Sequence, residues 1–177
     1  MEQQIETTVF GGGCFWCTEA VFRALRGVVS VTSGYAGGHA ENPSYEKVSM
    51  QKTGYAEVIK IEFDRQKISY RDLLGVFFAT HDPTTENRQG SDIGTQYRSL
   101  ILYTTQEQKS EAEKYIAELG VEVVTKVEPL TRFYEAEDEH RNYYEKNSSQ
   151  SYCQLVIVPK LAKLQLQFRK LLKSHGA

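Results

Sequence analysis

The sequence predicts an α+β fold: a ferredoxin-like split βαβ mixed sheet with helices packed on it, plus a less regular C-terminal region. Three observations carry this. Candidate elements follow the order β-α-β-β-α-β, then a helix and one more strand. "AEVIKIEFD" alternates Val58, Lys60 and Glu62 against Ile59, Ile61 and Phe63, the period-two pattern of a strand with one face buried. Two segments carry helix-start signals followed by apolar residues at helical spacing.

In chain order, "TTVF" is a short β-rich run that the glycines at 11–13 are expected to end. From Cys14 to Leu25, Ala20, Val21, Ala24 and Leu25 repeat at helical spacing. "VVSVTSGYAGG" reads as a strand running into a glycine turn. Ser69 and Asp72 form a capping-box pattern ahead of Tyr70, Leu73, Leu74, Phe77 and Phe78 on one helical face. "HDPTTENRQGSDIGTQ", residues 81–96, is a long polar loop, disordered or functional, and "GYAGGHAENPSY" is similar in character. "RSLILYT" is a strand. Thr105 and Gln108 cap a helix burying Ala112, Tyr115, Ile116 and Leu119, and Gly120 stops it. "VEVVTKVE" is a further strand. Residues 135–153 are polar, aromatic and less regular. After Pro159, an amphipathic helix aligns Leu161, Leu164, Phe168, Leu171 and Leu172; its basic residues are read as the solvated face of a docked helix.

The chain's 177 residues suit one domain with a real core. Hydrophobic residues at 40% and charged residues at 25% are an ordinary globular balance. A net charge of -2 makes no electrostatic case for nucleic acid or an anionic membrane. "MEQQIETT" does not read as a secretory signal, and no apolar run approaches a membrane span. The three cysteines, Cys14, Cys17 and Cys153, do not read as a disulfide scaffold; they imply a cytoplasmic protein whose thiols rest reduced.

"GGGCFWCTEA", residues 11–20, carries the chemistry. Glycines allow a sharp turn and close approach to the backbone. A thiol in the first turn of a helix faces unpaired N–H groups and the positive end of the dipole, which favours the nucleophilic thiolate of Cys14. Cys17, one turn on, is close enough for a Cys-x-x-Cys redox couple. Phe15 and Trp16 read either as an apolar slot for a small substrate group or as first-turn core packing. Buried structural thiols are the bland alternative. A zinc site is weaker, because only Cys153 could add a third sulfur and no His lies at metal spacing, so no metal is expected. A Cys/His hydrolase would need His81 or His140, and nothing in the sequence pairs either with Cys14.

"GGGCFWCTE" resembles the signature of the peptide methionine sulfoxide reductases of the A class, which take the S epimer. "GYAGG", "NPSYEKV", "GYAEVIKIEFD", "FFATHDPTTENRQGSDIGTQYRS" and "FYEAEDEHRNYY" resemble the same family in the same order, from about Val9 to Cys153. The resemblance implies Cys14 as the nucleophile on the sulfoxide sulfur, and Phe15 and Trp16 as the seat of the substrate methyl group. It implies Glu57 as the acid at the sulfoxide oxygen, Tyr45 and Tyr97 as hydrogen-bond donors to that oxygen, and Asp92 within the substrate site. Glu57 must then stay protonated near neutral pH, which a partly dry, aromatic site supports. By the same analogy Cys14 becomes a sulfenic acid, a second cysteine condenses with it, and thioredoxin reduces the disulfide; no bound cofactor is expected. A single domain over 1–177 follows, with a catalytic core over about 5–130 and a resolving-cysteine segment and helix over about 131–177, expected as a monomer.

Two positions depart from the family pattern. Tyr55 stands where His is usual before Ala-Glu, and Cys17 where a small residue is usual after Phe-Trp. Cys153 in "SYCQ", after the polar "EKNSSQ", occupies the place of the usual resolving cysteine and is favoured; Cys17 is the alternative. Two rival readings remain: a thioredoxin-type thiol–disulfide oxidoreductase resting on Cys-x-x-Cys alone, and a redox-sensing domain.

Overall fold

The computed structural model describes residues 2–174. Its elements are β1 (Ile5–Gly12), α1 (Phe15–Arg23), β2 (Val28–Ala36), α2 (Tyr45–Ser49), β3 (Ala56–Asp64), α3 (Tyr70–Thr80), β4 (Arg88–Gln89), β5 (Asp92–Ile93), β6 (Ser99–Tyr103), α4 (Gln106–Glu118), β7 (Lys126–Pro129), β8 (Phe133–Glu135), α5 (Tyr143–Lys146) and α6 (Val158–Gln167). The main sheet runs β7-β6-β1-β3-β2-β8. β3 lies antiparallel between β1 and β2, and β1 antiparallel between β3 and β6, so both crossovers are split βαβ units. β7 joins β6 in parallel, which makes the sheet mixed. The α+β class and the ferredoxin-like order are as the sequence predicts.

Alternation along the strands divides the core in two. Phe10, Tyr35, Ile59, Ile61 and Phe63 face α1 and α3 and meet Phe22, Leu73, Leu74 and Phe77 in the large core. Val9, Ala36, Ala56, Val58, Leu100 and Leu102 face the other way, under Leu130 and Phe133. The first half of β3 is therefore buried on both faces, where the alternation predicted one. Each large apolar side chain buried in this way contributes about 1.5–3 kcal/mol.

The capping box of α3 is complete: Ser69 Oγ accepts from Asp72 N–H, and the Asp72 carboxylate accepts from Ser69 N–H. In α4 Thr105 caps Gln108 N–H, but the Gln108 side chain turns back to Thr104 N–H at 3.0 Å.

Three expectations change. The glycines do not end β1; Gly11 and Gly12 pair with Leu100 and Ser99, because β6 offers partners for their backbone groups. Residues 81–96 are ordered around the β4–β5 hairpin, held where Asp82 N–H donates to Gln89 Oε1 at 2.9 Å and Gly94 N–H to Asn87 O at 2.9 Å. The C-terminal helix is shorter than its apolar pattern: α6 ends at Gln167, and a 3-10 turn, Arg169–Leu171, carries the chain back to α1. There Arg26 N–H donates to Leu171 O at 2.7 Å and Lys173 N–H to Ala24 O at 2.9 Å, so the helix is docked on the domain. Among the described residues no helix is long and apolar enough to cross a membrane.

Candidate active site

The turn between β1 and α1 aims Cys14. Gly13 has φ +95°, and a Cβ there would lie 2.7 Å from Gln89 Cγ, so only glycine fits against the β4–β5 hairpin. Cys14 is the N-cap of α1: its carbonyl accepts from Cys17 N–H at 3.1 Å, while its sulfur caps nothing. The residue is 8% exposed. The expectation that the helix terminus favours a Cys14 thiolate fails here. Burial pushes this thiol well above its ordinary value, and the Cys17 sulfur and the Glu57 charge push the same way. Cys17 moves down, to about 7, chiefly through its neighbour Cys14; Lys160 and the Tyr152 hydroxyl help, against burial. Cys17 is thus the more acidic of two thiols that titrate together.

Glu57 begins the inward row of β3 that continues through Ile59, Ile61 and Phe63, and it faces Tyr35 across the register with β2. It is 2% exposed and accepts from Phe15 N–H at 3.1 Å. Burial raises its carboxyl to about 8, opposed by the Phe15 bond and reinforced by the charges of Asp92 and Cys17. Near neutral pH Glu57 is mainly a neutral acid with a proton to donate.

Tyr45 opens α2; its N–H donates to Glu137 Oε1 at 2.9 Å, and its ring stacks on His140 at 4.3 Å. Tyr97 closes a 3-10 turn, Thr95–Tyr97, and packs against the cysteines. The turn is clamped by Arg98, whose guanidinium donates to Thr95 O and Gly54 O at 3.0 and 2.8 Å. Burial, with the charges of Glu57 and Cys14, raises both phenols above their ordinary values, so both stay protonated donors. Asp92, in β5, accepts from Tyr152 O–H at 2.7 Å. Phe15 is fully buried against Tyr35 and His140, each at 5.7 Å. Trp16 is half-buried, stacked on Tyr143 at 3.7 Å and donating through Nε1 to His140 Nδ1 at 3.3 Å. Cys153 lies in a π-helical turn, Cys153–Ile157, fully buried in one cluster with Cys14, Cys17 and Ile157. The structure therefore brings all three sulfurs together. A cleft of about 580 Å³ reaches Cys14 and Cys17 between the β4–β5 hairpin and the π-helical turn, with Tyr152, Asp92 and Lys160 in its wall.

Several residues at the site had no role in the sequence reading. Glu19 is 2% exposed and accepts from Ser33 Oγ and from Asn142 N–H, which ties α1 to β2 and to the C-terminal segment. Glu137 accepts from Tyr35 O–H at 2.8 Å besides Tyr45 N–H. His140 fills the space between Phe15, Trp16 and Tyr45, not the position of a base on Cys14. His81 donates through Nδ1 to Phe77 O and accepts through Nε2 from Ser99 Oγ–H at 2.8 Å, and burial lowers it to about 4, so it is neutral and structural. The signal for Glu137 and His140 was "FYEAEDEHRNYY", dense in aromatic and acidic residues but without a period. Tyr55 does not reach Glu57: its hydroxyl donates to Ala40 O at 2.7 Å and its ring meets Tyr134 edge-on at 5.8 Å, so it braces the glycine loop. Among the described residues no group of three His, Cys, Asp or Glu is placed to hold a metal ion.

A buried pair of adjacent thiols, beside a neutral carboxylic acid and two protonated phenols, defines a thiol-dependent reductase site for a substrate carrying a hydrogen-bond-accepting oxygen. Comparison with known proteins agrees. The profile of the family described as peptide methionine sulfoxide reductase matches residues 6–172. A curated relative from Acinetobacter baumannii (strain AYE), "Peptide methionine sulfoxide reductase MsrA", is 57% identical over 173 residues, covering 96% of this chain and 100% of that one. Among solved structures, reduced Mxr1 from Saccharomyces cerevisiae superposes with a TM-score of 0.77 at 34% identity, covering 85% of this chain and 90% of that one. Mxr1 in complex with Trx2 shares the fold, with a TM-score of 0.54 at 24% identity over 81% and 89% of the two chains. The chain belongs to the peptide methionine sulfoxide reductase family. It is an oxidoreductase that reduces methionine sulfoxide at the expense of thiols.

Proposed function

We propose that Cys14 attacks the sulfur of methionine S-sulfoxide, peptide-bound or free, while Glu57 delivers a proton to its oxygen and the Tyr45 and Tyr97 hydroxyls hold that oxygen. The observation that carries this is the buried Glu57 carboxyl, about 8 and oriented by Phe15 N–H, in the charge field of a thiol pair. A sulfoxide is a poor electrophile until its oxygen is protonated or tightly hydrogen-bonded, and a neutral acid supplies the proton without a buried negative charge beforehand. Cys17, the more acidic sulfur, takes the Cys14 proton as Cys14 attacks. Cys14 leaves as a sulfenic acid, Cys17 as a thiol, Glu57 as a carboxylate, and methionine departs. Phe15 and Trp16 hold the substrate methyl group, and Asp92 lines the substrate site.

A second thiol then condenses with the sulfenic acid. The sequence favoured Cys153 for that step. The closeness of Cys17 to Cys14, one turn on with its N–H bonded to Cys14 O at 3.1 Å, supports Cys17 as first resolver, with Cys153, in the same cluster, receiving the disulfide afterwards. Thioredoxin is the external reductant in this reading. Yeast Mxr1, similar to this chain, is described in complex with Trx2, and the cleft gives an incoming thiolate access to the sulfurs. The protein acts as a single-domain cytoplasmic monomer with no bound cofactor, in repair of oxidised proteins.

The test uses fully reduced protein and N-acetyl methionine S-sulfoxide without external reductant. Loss of two thiols per methionine derivative released is expected; release of no methionine derivative overturns the reading.

A further inference from the structure

Tyr152 stands between two groups of the site that do not otherwise meet. Its hydroxyl is 3.5 Å from Cys17 Sγ and 2.7 Å from Asp92 Oδ2. Those partners lie 135 and 60 residues away, one in α1 and one in β5. The ring lies edge-on to Trp16 at 5.7 Å, which fixes the direction of the hydroxyl. The residue is half-buried in the wall of the cleft that reaches Cys14 and Cys17.

We propose that Tyr152 is the proton acceptor of the disulfide-forming step, passing the Cys17 proton to Asp92 so that Cys17 can attack the Cys14 sulfenic acid. The inference rests on the reading of Cys17 as first resolver. Once Cys14 has been oxidised, Cys17 holds the proton it received and is no longer a nucleophile. Against a Cys17 thiolate the hydroxyl donates to sulfur; once Cys17 is protonated the hydroxyl donates to Asp92 instead, and its oxygen accepts from the Cys17 S–H. The proton moves from Cys17 sulfur to Tyr152 oxygen while the Tyr152 proton moves to the Asp92 carboxylate. The Cys17–Cys14 S–S bond forms, the Cys14 S–O bond breaks, and the departing hydroxide takes the proton from Asp92 and leaves as water. The phenol is regenerated and no outside oxidant or reductant enters. Among the described residues, no hydroxyl is hydrogen-bonded to the buried Cys153 sulfur.

Single turnover of the fully reduced full-length chain separates the steps. Methionine derivative released reports the first, thiol loss reports the second, a dimedone-type nucleophile traps the sulfenic acid between them, and peptide mapping locates the disulfide. Tyr152→Phe keeps the ring against Trp16 and removes the hydroxyl. The expected result is disulfide formation slowed at least tenfold more than methionine release, with trapped sulfenic acid on Cys14. Disulfide formation at the wild-type rate in Tyr152→Phe, with only Tyr152→Ala impaired, overturns the proposal in favour of ring packing. Methionine release slowed as much as disulfide formation overturns it in favour of a role in the first step. A first disulfide mapped as Cys14–Cys153 in wild type overturns the underlying reading of Cys17 and the relay with it.

Discussion

The main-chain N–H of Phe15 donates to the carboxyl of Glu57 at 3.1 Å, joining the first turn of α1 to β3 across 42 residues. The bond occupies one carboxyl oxygen and leaves the other to hold the proton that burial keeps there up to a pH of about 8. In the proposed reaction, the residue after the nucleophile thus orients the acid that works with it.

Glu57→Gln keeps the acceptor for Phe15 N–H and removes the acid. Methionine release in a single turnover is expected to fall by about 10²–10⁴-fold, the usual worth of a general acid. Stability is expected to respond with the opposite sign at high pH. The folded-state value of Glu57, about 8, lies above its ordinary 4.5, so the folded protein holds the proton more tightly. The wild type therefore loses stability from this group as pH rises from about 4.5 through about 8, by at most roughly 5 kcal/mol. Chemical denaturation at pH 5 and pH 9 checks this: Glu57→Gln gains on wild type at pH 9, and parallel curves refute it.

Cys17 and Glu57 together set the pH profile of the first step. Cys17 must be ionised to accept the Cys14 proton and Glu57 must be protonated, so first-turnover methionine release rises with pH through about 7 and falls through about 8. Cys17→Ser is expected to remove the rising limb at 7 and to slow the plateau. Rapid-quench measurements between pH 5.5 and 9.5 decide it; an unchanged rising limb rejects Cys17 as the base.

Tyr45→Phe and Tyr97→Phe each remove one of the two donors proposed to hold the sulfoxide oxygen. Each is expected to cost about 1–3 kcal/mol in the first step, or roughly tenfold to a hundredfold. The double variant is expected to lose less than the product of the two if Glu57 compensates. Substrate titrations that separate kcat from KM locate the loss in kcat.

Trp16 is the only tryptophan in the chain, stacked on Tyr143 and bonded to His140, so its emission reports the C-terminal segment directly. Tyr143→Ala is expected to red-shift and strengthen that emission and to lower stability by about 0.5–1.5 kcal/mol beyond the lost burial. An unchanged spectrum places the ring elsewhere in solution.

Gly13→Ala meets two obstacles at once: φ +95°, and a Cβ within 2.7 Å of Gln89 Cγ and 2.9 Å of Gln89 Cβ. A loss of about 1–3 kcal/mol is expected, with activity falling further because the turn aims Cys14. Thermal melts beside single-turnover rates test whether the two effects separate.

Much of the architecture was legible in the order of the residues. The alternation in β3, the Ser69–Asp72 box and the leucines after Pro159 are local patterns, and each marks a strand or helix because burial follows the backbone period. "GGGCFWCTE" and the surrounding motifs pointed to the family and its chemistry, and the proposed nucleophile, acid and phenols come from the same resemblance. The hairpin at residues 88–93 was not legible, since strands of two residues have no period, and β1 runs through its glycines only because β6 is beside it. The charge states were also decided by tertiary structure. A first-turn thiol should ionise, but the C-terminal segment covers Cys14, and desolvation outweighs the helix terminus. The acidic sulfur is Cys17 instead, through contacts with Cys14, Lys160 and Tyr152 that come from α1, α6 and the end of the chain before Cys153. Residue types and their local spacing are written in the chain, whereas ionisation depends on which distant groups fold over a site and exclude water from it.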